Sequence, residues 1–509
     1  MIALGQVDDL VTLVRRAART WPDRVAWIFD ETGARLTFAD VDRESDRLAL
    51  ALGDLGVKRG DRVAVMMRNE PAFPLLWLAL AKLAAVLVPV NINYRELDGC
   101  HVLRQSGARF AVAAPEFVEL LEEIAPATTL ERVLTVDELA SSVPEGAPTF
   151  MATGELPVNI QYTSGTTGAP KGCVLPHRYW LTLVRGLVTE FPKISAQDTI
   201  LTAQPFHYID PQWNVALGLA AGATLVVLDR FHPSTFWSKV RQYEVTWFYC
   251  LGLMPVLLLR QPESPKDGDH NVRAISASAI PRDLHAALEK RWGVPWYEAF
   301  GMTETGGDLR VSEMDHDELV GTGCVGTPTR DREAMIVDEA GHPVPRGETG
   351  ELVLRGIGMM HGYHDDPEAT ARAFRGGWFH TGDLASMDDR GRVFYVGRTK
   401  DMIRRSGENI SADEVERALL HHPAVRLAAV IAEPDELRGE EVRAFVVLNE
   451  AATPDELAEF CATKLAYFKV PRYWTVTESL PLTPSERVAK GELASWNLPR
   501  YDRVSAQWE

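Results

Sequence analysis

Cysteine is scarce in this 509-residue chain, which has five cysteines at widely separated positions and no Cys-x-x-Cys pair. The odd count and the lack of histidine clusters at zinc spacing argue against a disulfide framework and a structural zinc site. Long hydrophobic runs are equally rare. The most apolar stretch, residues 73–90, is interrupted by Lys82 and closed by Pro89, so we expect a buried helix leading into a core strand and no membrane span.

Basic residues are also fewer than acidic residues. Fifty-three Lys and Arg residues face seventy-one Asp and Glu residues, a net charge of −18, which repels a phosphate backbone at long range. We therefore expect no nucleic acid partner, and a bound nucleotide needs local basic residues and oriented backbone amides. The N-terminus lacks the basic-then-apolar order of a secretory signal, which together with the cysteine usage predicts a cytoplasmic protein.

Strand and helix patterns predict an α/β protein of several structural units. Strand-like runs occur at residues 62–67, 223–228, 245–252, 351–354, 392–396 and 443–448, with helical periodicity at 40–55 and between many of the early strands. This alternation predicts βαβ units around parallel sheets. Short apolar runs between turn residues from about 324 to 396 instead predict a β-rich subdomain. We expect doubly wound α/β subdomains and this β-rich subdomain to form one large N-terminal domain.

A domain boundary is predicted near Lys400. Ser411 is a candidate N-cap, with Glu414 at the spacing of a capping box, at the start of an amphipathic helix. Alternating strand and helix patterns then continue along the chain. We therefore predict a large domain over residues 1–399 and a small, mobile α+β domain over residues 400–509. The alternative is that the C-terminal residues form the last layer of one large domain.

A loop rich in glycine and hydroxyl side chains is the strongest local signal. A strand-like segment leads into Tyr-Thr-Ser-Gly-Thr-Thr-Gly-Ala-Pro-Lys-Gly at residues 162–172. Glycines, hydroxyls and one lysine are the components of a phosphate cradle built from backbone N–H groups, hydroxyl donors and a cation. The motif is not a Walker A loop, because Pro170 and Gly172 flank its lysine. A flexible surface loop is the alternative.

With this loop, the sequence resembles the adenylate-forming superfamily of acyl-CoA synthetases, adenylation domains and luciferases. Further motifs of that superfamily follow in its order: Gln-Pro-Phe-His at 204–207, Ala-Phe-Gly-Met-Thr-Glu at 299–304, Gly-Glu-Leu-Val-Leu-Arg-Gly at 350–356, Trp-Phe-His-Thr-Gly-Asp at 378–383, Gly-Arg-Thr-Lys-Asp-Met-Ile at 397–403 and Ser-Gly-Glu-Asn at 406–409. The resemblance covers essentially the whole chain. It implies an acyl-CoA synthetase in which a carboxylate attacks ATP to give acyl-adenylate and pyrophosphate, and a thiol then releases AMP.

The resemblance also implies roles for individual residues. The β- and γ-phosphates of ATP would be held by Thr163, Ser164, Gly165, Thr166, Thr167, Gly168 and Lys171. Thr303 would bind the α-phosphate, Glu304 would hold Mg²⁺, and Phe300, where the superfamily usually has tyrosine, would stack on adenine. Asp383 and Arg398 would bind the ribose hydroxyls. The acyl pocket would be lined by His207, Trp213, Tyr249, Ser276, Ala277 and Gly301, whose aromatic and small side chains suggest an apolar acid.

In the superfamily the C-terminal domain rotates between an adenylating pose and a thioester-forming pose, and Lys400 occupies the position of the hinge. Gly407 would then line the tunnel for the pantetheine arm of coenzyme A. The implied ligands are thus ATP or AMP, Mg²⁺, coenzyme A, and a small carboxylic acid or its acyl-adenylate. The sequence leaves the oligomeric state open.

One departure from the superfamily pattern concerns the step that makes the adenylate. Where the superfamily has Ser-Gly-Lys, this chain has Ser-Glu-Arg at residues 485–487, which puts Arg487 in the place of the lysine, and Lys490 matches a second basic position. A planar guanidinium cannot act as a point charge between two converging anions. The hypothesis is therefore an acyl-CoA synthetase that retains thioester formation but is impaired in adenylation, with a partner enzyme supplying acyl-adenylate. The alternatives are a fully competent ligase, an adenylation enzyme that loads a carrier-protein thiol, and a nucleotide-binding regulator without turnover.

Overall fold

The computed structural model describes residues 7–140, 148, 154–163, 170–406, 408–482 and 488–509, and only the backbone of Ala140, Lys400 and Asn409. Several predicted site residues lie outside this described part of the chain: Ser164, Gly165, Thr166, Thr167, Gly168, Gly407 and Arg487. Their roles stay predictions.

The helices and strands have the following bounds. The helices are α1 (Leu10–Thr20), α2 (Phe38–Asp54), α3 (Ala72–Lys82), α4 (Glu96–Ser106), α5 (Pro115–Ile124), α6 (Val136–Ala140), α7 (His177–Thr189), α8 (Ile209–Ala221), α9 (Phe236–Gln242), α10 (Met254–Leu259), α11 (Arg282–Trp292), α12 (His316–Leu319), α13 (Pro367–Ala373), α14 (Ala412–Leu420), α15 (Pro454–Ala462) and α16 (Lys490–Leu493). The strands are β1 (Val25–Phe29), β2 (Arg35–Thr37), β3 (Arg62–Met66), β4 (Val86–Pro89), β5 (Phe110–Ala113), β6 (Arg132–Thr135), β7 (Pro157–Thr163), β8 (Lys171–Pro176), β9 (Thr199–Thr202), β10 (Thr224–Val227), β11 (Trp247–Cys250), β12 (Ala274–Ala277), β13 (Trp296–Met302), β14 (Gly306–Arg310), β15 (Cys324–Pro328), β16 (Arg332–Val337), β17 (Thr349–Gly356), β18 (Phe379–Met387), β19 (Val393–Arg398), β20 (Met402–Arg405), β21 (Glu408–Ser411), β22 (Val425–Asp435), β23 (Gly439–Leu448), β24 (Tyr473–Val476), β25 (Tyr501–Asp502) and β26 (Gln507–Trp508).

The chain divides into two compact units. The first comprises residues 1–333 and 354–377, and the second comprises residues 334–353 and 378–509. The second unit thus combines strands that precede Lys400 with the C-terminal residues. The backbone of Lys400 lies in a short turn, Thr399–Asp401, and the hinge at this residue stays a prediction.

One sheet of the first unit has the strand order β6-β5-β3-β4-β7-β8. Its strands are parallel except for β8, which is antiparallel to β7. The prediction for residues 73–90 is confirmed, since the buried helix α3 leads into the buried strand β4. Lys82 is tolerated inside because its ammonium lies 2.7 Å from carboxylate oxygens of both Asp42 and Asp46. Among the described residues, no helix has the length and apolar character that crossing a bilayer requires.

A second sheet of the first unit has the order β15-β14-β13-β12-β11-β9-β10-β1-β2. The strands from β13 to β1 are parallel, while β14, β15 and β2 add antiparallel strands at its two ends. The strands predicted at 223–228 and 245–252 are β10 and β11. Two parallel sheets connected through helices confirm the doubly wound α/β prediction.

The second unit contains most of β16 and β17 together with β18 and β19, side by side in one sheet, and β18 and β19 form an antiparallel hairpin. These strands confirm the β-rich prediction. The C-terminal residues form a separate sheet in the order β21-β20-β23-β24-β25-β26, with β22 beside β23. α14 packs on this sheet through Val415 and Leu419 in a core that includes Trp474, so the α+β prediction for this region is confirmed.

The predicted capping box of α14 is wrong. Ser411 occupies the N-cap position, but its side chain accepts no capping hydrogen bond. Its hydroxyl instead donates to the carbonyl oxygen of Val396 at 3.3 Å. Glu414 does not reach back either, because it forms an ion pair with Lys469 at 2.7 Å.

Candidate active site

Tyr363 contacts both the lysine of the glycine-rich loop and the acid of the Thr-Glu motif. β8 begins at Lys171 and pairs antiparallel with the Tyr363 segment through a bridge between Cys173 and Tyr363. The Lys171 ammonium lies 5.1 Å from the centroid of the Tyr363 ring, and the Tyr363 hydroxyl donates to Glu304 at 3.0 Å. The first unit therefore brings Lys171 and Glu304, which are distant in sequence, to the ring and the hydroxyl of one tyrosine.

Thr303 and Glu304 lie in the turn between β13 and β14. Phe300 lies on β13 opposite Leu309 of β14. Gly301 is required by the hairpin itself, since a Cβ at this position would lie 2.1 Å from the carbonyl oxygen of Gly306. Its glycine therefore has a structural cause that is independent of the predicted acyl pocket.

A buried ion pair, which the motif analysis did not identify, supports this hairpin. The Asp308 carboxylate accepts hydrogen bonds from the Arg332 Nε, at 2.6 Å, and from the Thr305 hydroxyl. Both charged side chains are at most 2% exposed. The other N–H groups of Arg332 donate to the carbonyl oxygens of Thr305, Asp331, Ile357 and Gly358. Arg332 thus ties the turn after Glu304 to the segment that leads to Tyr363.

The donor set in the first unit suits a nucleoside triphosphate with a divalent cation. Thr163, the last residue of β7, is the register partner of Lys171 across the β7–β8 hairpin. A hydroxyl and an ammonium therefore lie where the two strands open into the glycine-rich loop. The Glu304 carboxylate, which accepts a hydrogen bond from the Tyr363 hydroxyl, is a hard oxygen donor of the kind that Mg²⁺ prefers.

The predicted acyl-pocket residues Trp213, Tyr249 and Ser276 lie together in the first unit. The ring centroid of Trp213 is 5.4 Å from that of Tyr249 and 5.9 Å from that of Trp247. Trp247 in turn donates to the Ser276 hydroxyl at 3.2 Å, and the hydroxyls of Tyr249 and Ser278 are hydrogen-bonded at 2.7 Å. These residues come from the carboxyl ends of parallel strands or follow them, where open α/β sheets bind ligands.

Ala277 is not brought to this aromatic cluster. In the register of β11 and β12, Tyr249 pairs with Ser276 and Cys250 pairs with Ala277. Successive residues of a strand face opposite sides of a sheet. Ala277 accordingly packs in a hydrophobic core that includes Phe248 and Trp296.

His207 is buried at the start of the segment that leads into α8. Neither of its ring nitrogens has a hydrogen-bond partner among the described residues. Burial lowers the pKa of His207 to about 3, so its imidazole is neutral at physiological pH. Two buried polar residues of α8, Asp210 and Asn214, follow it; the motif analysis missed both.

In the second unit, Asp383 and Arg398 face each other across the β18–β19 hairpin. The Arg398 Nε lies 3.2 Å from an Asp383 carboxylate oxygen, and Asp383 is 1% exposed. Glu351 accepts a hydrogen bond from the Gly382 N–H at 3.1 Å and bonds the His380 ring at 2.7 Å. Two of the sequence motifs, at 350–356 and 378–383, therefore bind each other and orient the strand that carries Asp383.

Lys490 is held by three acids in the second unit. Its ammonium lies 2.8 Å from Glu416, 3.3 Å from Asp413 and 3.7 Å from Asp401. Burial by itself would lower the pKa of Lys490, but the three carboxylates outweigh burial and raise the pKa. This side chain therefore has a structural task in the described arrangement.

Comparison with known families decides the assignment. Residues 14–364 match the AMP-binding enzyme family and residues 414–487 match the AMP-binding enzyme C-terminal domain. The chain belongs to the AMP-binding enzyme family. Its predicted membership of the adenylate-forming superfamily is thereby confirmed.

Full-length relatives of known name and structure agree with this assignment. The crotonobetaine/carnitine–CoA ligase of Salmonella paratyphi A is 32% identical over 94% of this chain and 97% of that protein. The o-succinylbenzoate CoA synthetase of Bacillus subtilis, solved with its acyl-adenylate intermediate, superimposes with a TM-score of 0.87 at 27% identity over 96% of this chain and 98% of that one. A structure of the same synthetase with ATP and magnesium gives a TM-score of 0.85 at 27% identity, over 95% and 99% of the two chains.

Proposed function

We propose that this member of the AMP-binding enzyme family is an acyl-CoA ligase that converts a carboxylic acid through acyl-AMP to its CoA thioester. The observation that carries the proposal is the joint contact of Lys171 and Glu304 with Tyr363, since an ammonium suited to phosphate and a carboxylate suited to Mg²⁺ both contact one side chain. Similarity over almost the whole chain to a CoA ligase and a CoA synthetase supports both half-reactions.

We assign the residues of the first half-reaction by charge and donor type. Lys171 and Thr163 bind the terminal phosphates, Thr303 binds the α-phosphate, and the acid's carboxylate oxygen attacks the α-phosphorus as pyrophosphate leaves. Glu304 would hold Mg²⁺, which when bound would neutralise phosphate charge. By the resemblance to the superfamily, Asp383, with Arg398 beside it, would accept hydrogen bonds from the ribose hydroxyls. The CoA sulfur then attacks the acyl carbon, and AMP leaves.

We propose further that adenylation is the weaker half-reaction, because Arg487 replaces the lysine of the superfamily. Loss of one preorganised donor to developing transition-state charge costs about 100- to 1,000-fold in rate. The thioester step needs less assistance, since an acyl-adenylate is already activated and a thiol of pKa about 8.5 is a good nucleophile once positioned. Lys490 does not replace the missing lysine while Glu416, Asp413 and Asp401 surround its ammonium.

Two assays on the purified protein test this function. The first measures ATP–pyrophosphate exchange with a panel of acids, and the second measures CoA thioester formation from supplied acyl-adenylates by mass spectrometry. We expect thioester from acyl-adenylate and weak exchange. Rapid exchange with the cognate acid would show that adenylation is not impaired. Thioester on a carrier protein but not on free CoA would identify an adenylation enzyme, and no product in either assay would contradict the ligase proposal.

Replacing Tyr363 by phenylalanine is expected to weaken binding of ATP with Mg²⁺ about tenfold, since a hydrogen bond to a charged group contributes about 1.5 kcal/mol or more. The ring that faces Lys171 is kept, so only the hydroxyl bond to Glu304 is lost. Titration calorimetry with and without Mg²⁺ measures the effect, which we expect only when Mg²⁺ is present. Tyr467→Phe, at an 83% exposed tyrosine, is the control. Equal affinities for Tyr363→Phe and the parent protein would refute this role.

A further inference from the structure

The region of the predicted acyl pocket contains buried hydrogen-bond acceptors without partners. Within the described part of the chain, one carboxylate oxygen of Asp210 and the amide oxygen of Asn214 accept no hydrogen bond. Both residues are at most 3% exposed. Unsatisfied polar atoms at such depth are rare in folded proteins and call for an explanation such as an absent ligand.

Asp210 is held in one orientation by its neighbours. The Thr202 hydroxyl donates to one carboxylate oxygen at 3.1 Å, and the Asn214 amide donates to the Asp210 carbonyl oxygen at 2.9 Å. The other carboxylate oxygen is the one without a partner. The side chain is therefore fixed at one oxygen and available at the other.

The available oxygen belongs to the same region as the aromatic cluster. Asp210 and Trp213 are three residues apart on α8, a spacing that puts two side chains on one face of a helix. Burial raises the pKa of the Tyr249 hydroxyl, and the charge of Asp210 adds to the rise. Because Trp213 lies one helical turn from Asp210 and its ring contacts that of Tyr249, the buried acid belongs to the same region as the two aromatic rings.

Asp210 has no basic partner among the described residues. No Lys, Arg or His in the described residues forms an ion pair with it, and burial raises its pKa to about 7. A buried carboxylate without a counter-ion is costly, and a cation beside it removes much of that cost. Aromatic faces attract cations as well, most strongly when both groups are desolvated.

We propose that the acid activated by this enzyme carries a positive charge, a quaternary or protonated ammonium group remote from its carboxylate, which binds to Asp210 beside Trp213 and Tyr249. The inference rests on the proposed function, because the charged group must belong to the acid that becomes the thioester. It changes the apolar acid suggested by the sequence to a zwitterionic one. A hydroxylated neutral acid would satisfy the free acceptors of Asp210 and Asn214 but would leave the carboxylate charge unpaired.

Matched pairs of acids test this proposal directly. Each pair comprises an ω-trimethylammonio acid and the ω-tert-butyl acid of the same length, which differ in one atom and in charge, with chains of two to eight methylene groups. CoA thioester formation is measured from each free acid and from its supplied adenylate. For the pair that is used best, we expect kcat/KM to be about 100-fold higher for the charged acid. The tert-butyl acid leaves the buried carboxylate without its partner, and a lost partner in a buried charge pair has an effect of this size. Equal or greater use of the uncharged acids would overturn the proposal.

The variant Asp210→Asn provides a second test, since it removes the negative charge of the side chain and keeps its size and shape. We expect it to abolish the preference for the charged acid, so that the ratio of kcat/KM within each pair falls from about 100 to about 1. Asp269→Asn, at an exposed aspartate of the same unit, is the matched control. An equal loss with both acids in Asp210→Asn would mean a structural role and contradict the inference.

Calorimetric measurement of the affinities of the paired acids distinguishes failure of this proposal from failure of the proposed function. A charged acid that binds about 100-fold more tightly than its isostere but gives no thioester would uphold the cation-binding role of Asp210 and refute the ligase activity, and with it the proposal that this acid is activated. Formation of thioester from neutral acids alone would uphold the ligase activity and refute the binding of a charged group at Asp210. Should Asp210→Asn fail to fold, the parent enzyme's preference within each pair still decides the question.

Discussion

Replacing Arg487 by lysine is expected to raise the rate of acyl-adenylate formation about 100- to 1,000-fold, the factor lost when one preorganised donor to a developing charge is removed. An ammonium is compact enough to lie between the attacking carboxylate and the α-phosphate, whereas a guanidinium is wide and planar. ATP–pyrophosphate exchange measures the gain. The same variant is expected to convert supplied acyl-adenylate to thioester at the parent rate, because that step does not use the lysine.

Two further variants define the cause of this effect. Glu486→Gly with Arg487→Lys restores both residues of the superfamily signature, and a rate above that of Arg487→Lys alone would show that Glu486 holds the cation aside. Arg487→Ala removes the charge altogether. If Arg487→Ala lowers exchange about 100-fold below the parent while Arg487→Lys leaves exchange unchanged, arginine already performs the role of the lysine and the impaired-adenylation proposal is wrong.

The fold was largely predictable because its signals are local. Buried parallel strands such as β10 and β11 appear as short runs of apolar and β-branched residues between turns. Capping at Ser411 was not predictable, because the choice between the helix and the Val396 carbonyl depends on a strand folded against it. The division into units was equally hidden, since the second unit joins residues 334–353 to a segment that begins at residue 378.

Some residues of the candidate site were likewise predictable from the sequence and others were not. Lys171, Glu304 and Asp383 were identifiable because each lies in a motif whose residues are adjacent in sequence. Tyr363 was not, because its role arises from a contact with Glu304, 59 residues away. Ala277 illustrates a different failure: family position put it in the acyl pocket, but strand parity places it on the opposite face from Ser276. Asp210 was missed because an acid next to a histidine motif has no signal of its own until burial is known.

The second large effect is expected from Asp308→Ala, which should lower the free energy of unfolding of the first unit by about 3–5 kcal/mol. The substitution leaves the buried guanidinium of Arg332 without its carboxylate and the Thr305 hydroxyl without an acceptor. Urea unfolding followed by tryptophan fluorescence measures the change, and an unaltered m-value would show that the native state is otherwise intact. Binding of ATP with Mg²⁺ should weaken as well, because the same hairpin carries Glu304.

The exposed acid next to Arg332 supplies the control. Glu333 pairs with Arg355 on the surface, so Glu333→Ala should cost less than about 1 kcal/mol. The double variant Asp308→Leu with Arg332→Met removes both charges, yet we expect it to remain destabilised, because the carbonyl oxygens that Arg332 binds lose their donors. Full recovery in the double variant would mean that the ion pair alone matters. A loss below about 1 kcal/mol for Asp308→Ala would refute the view that this pair holds the Glu304 turn.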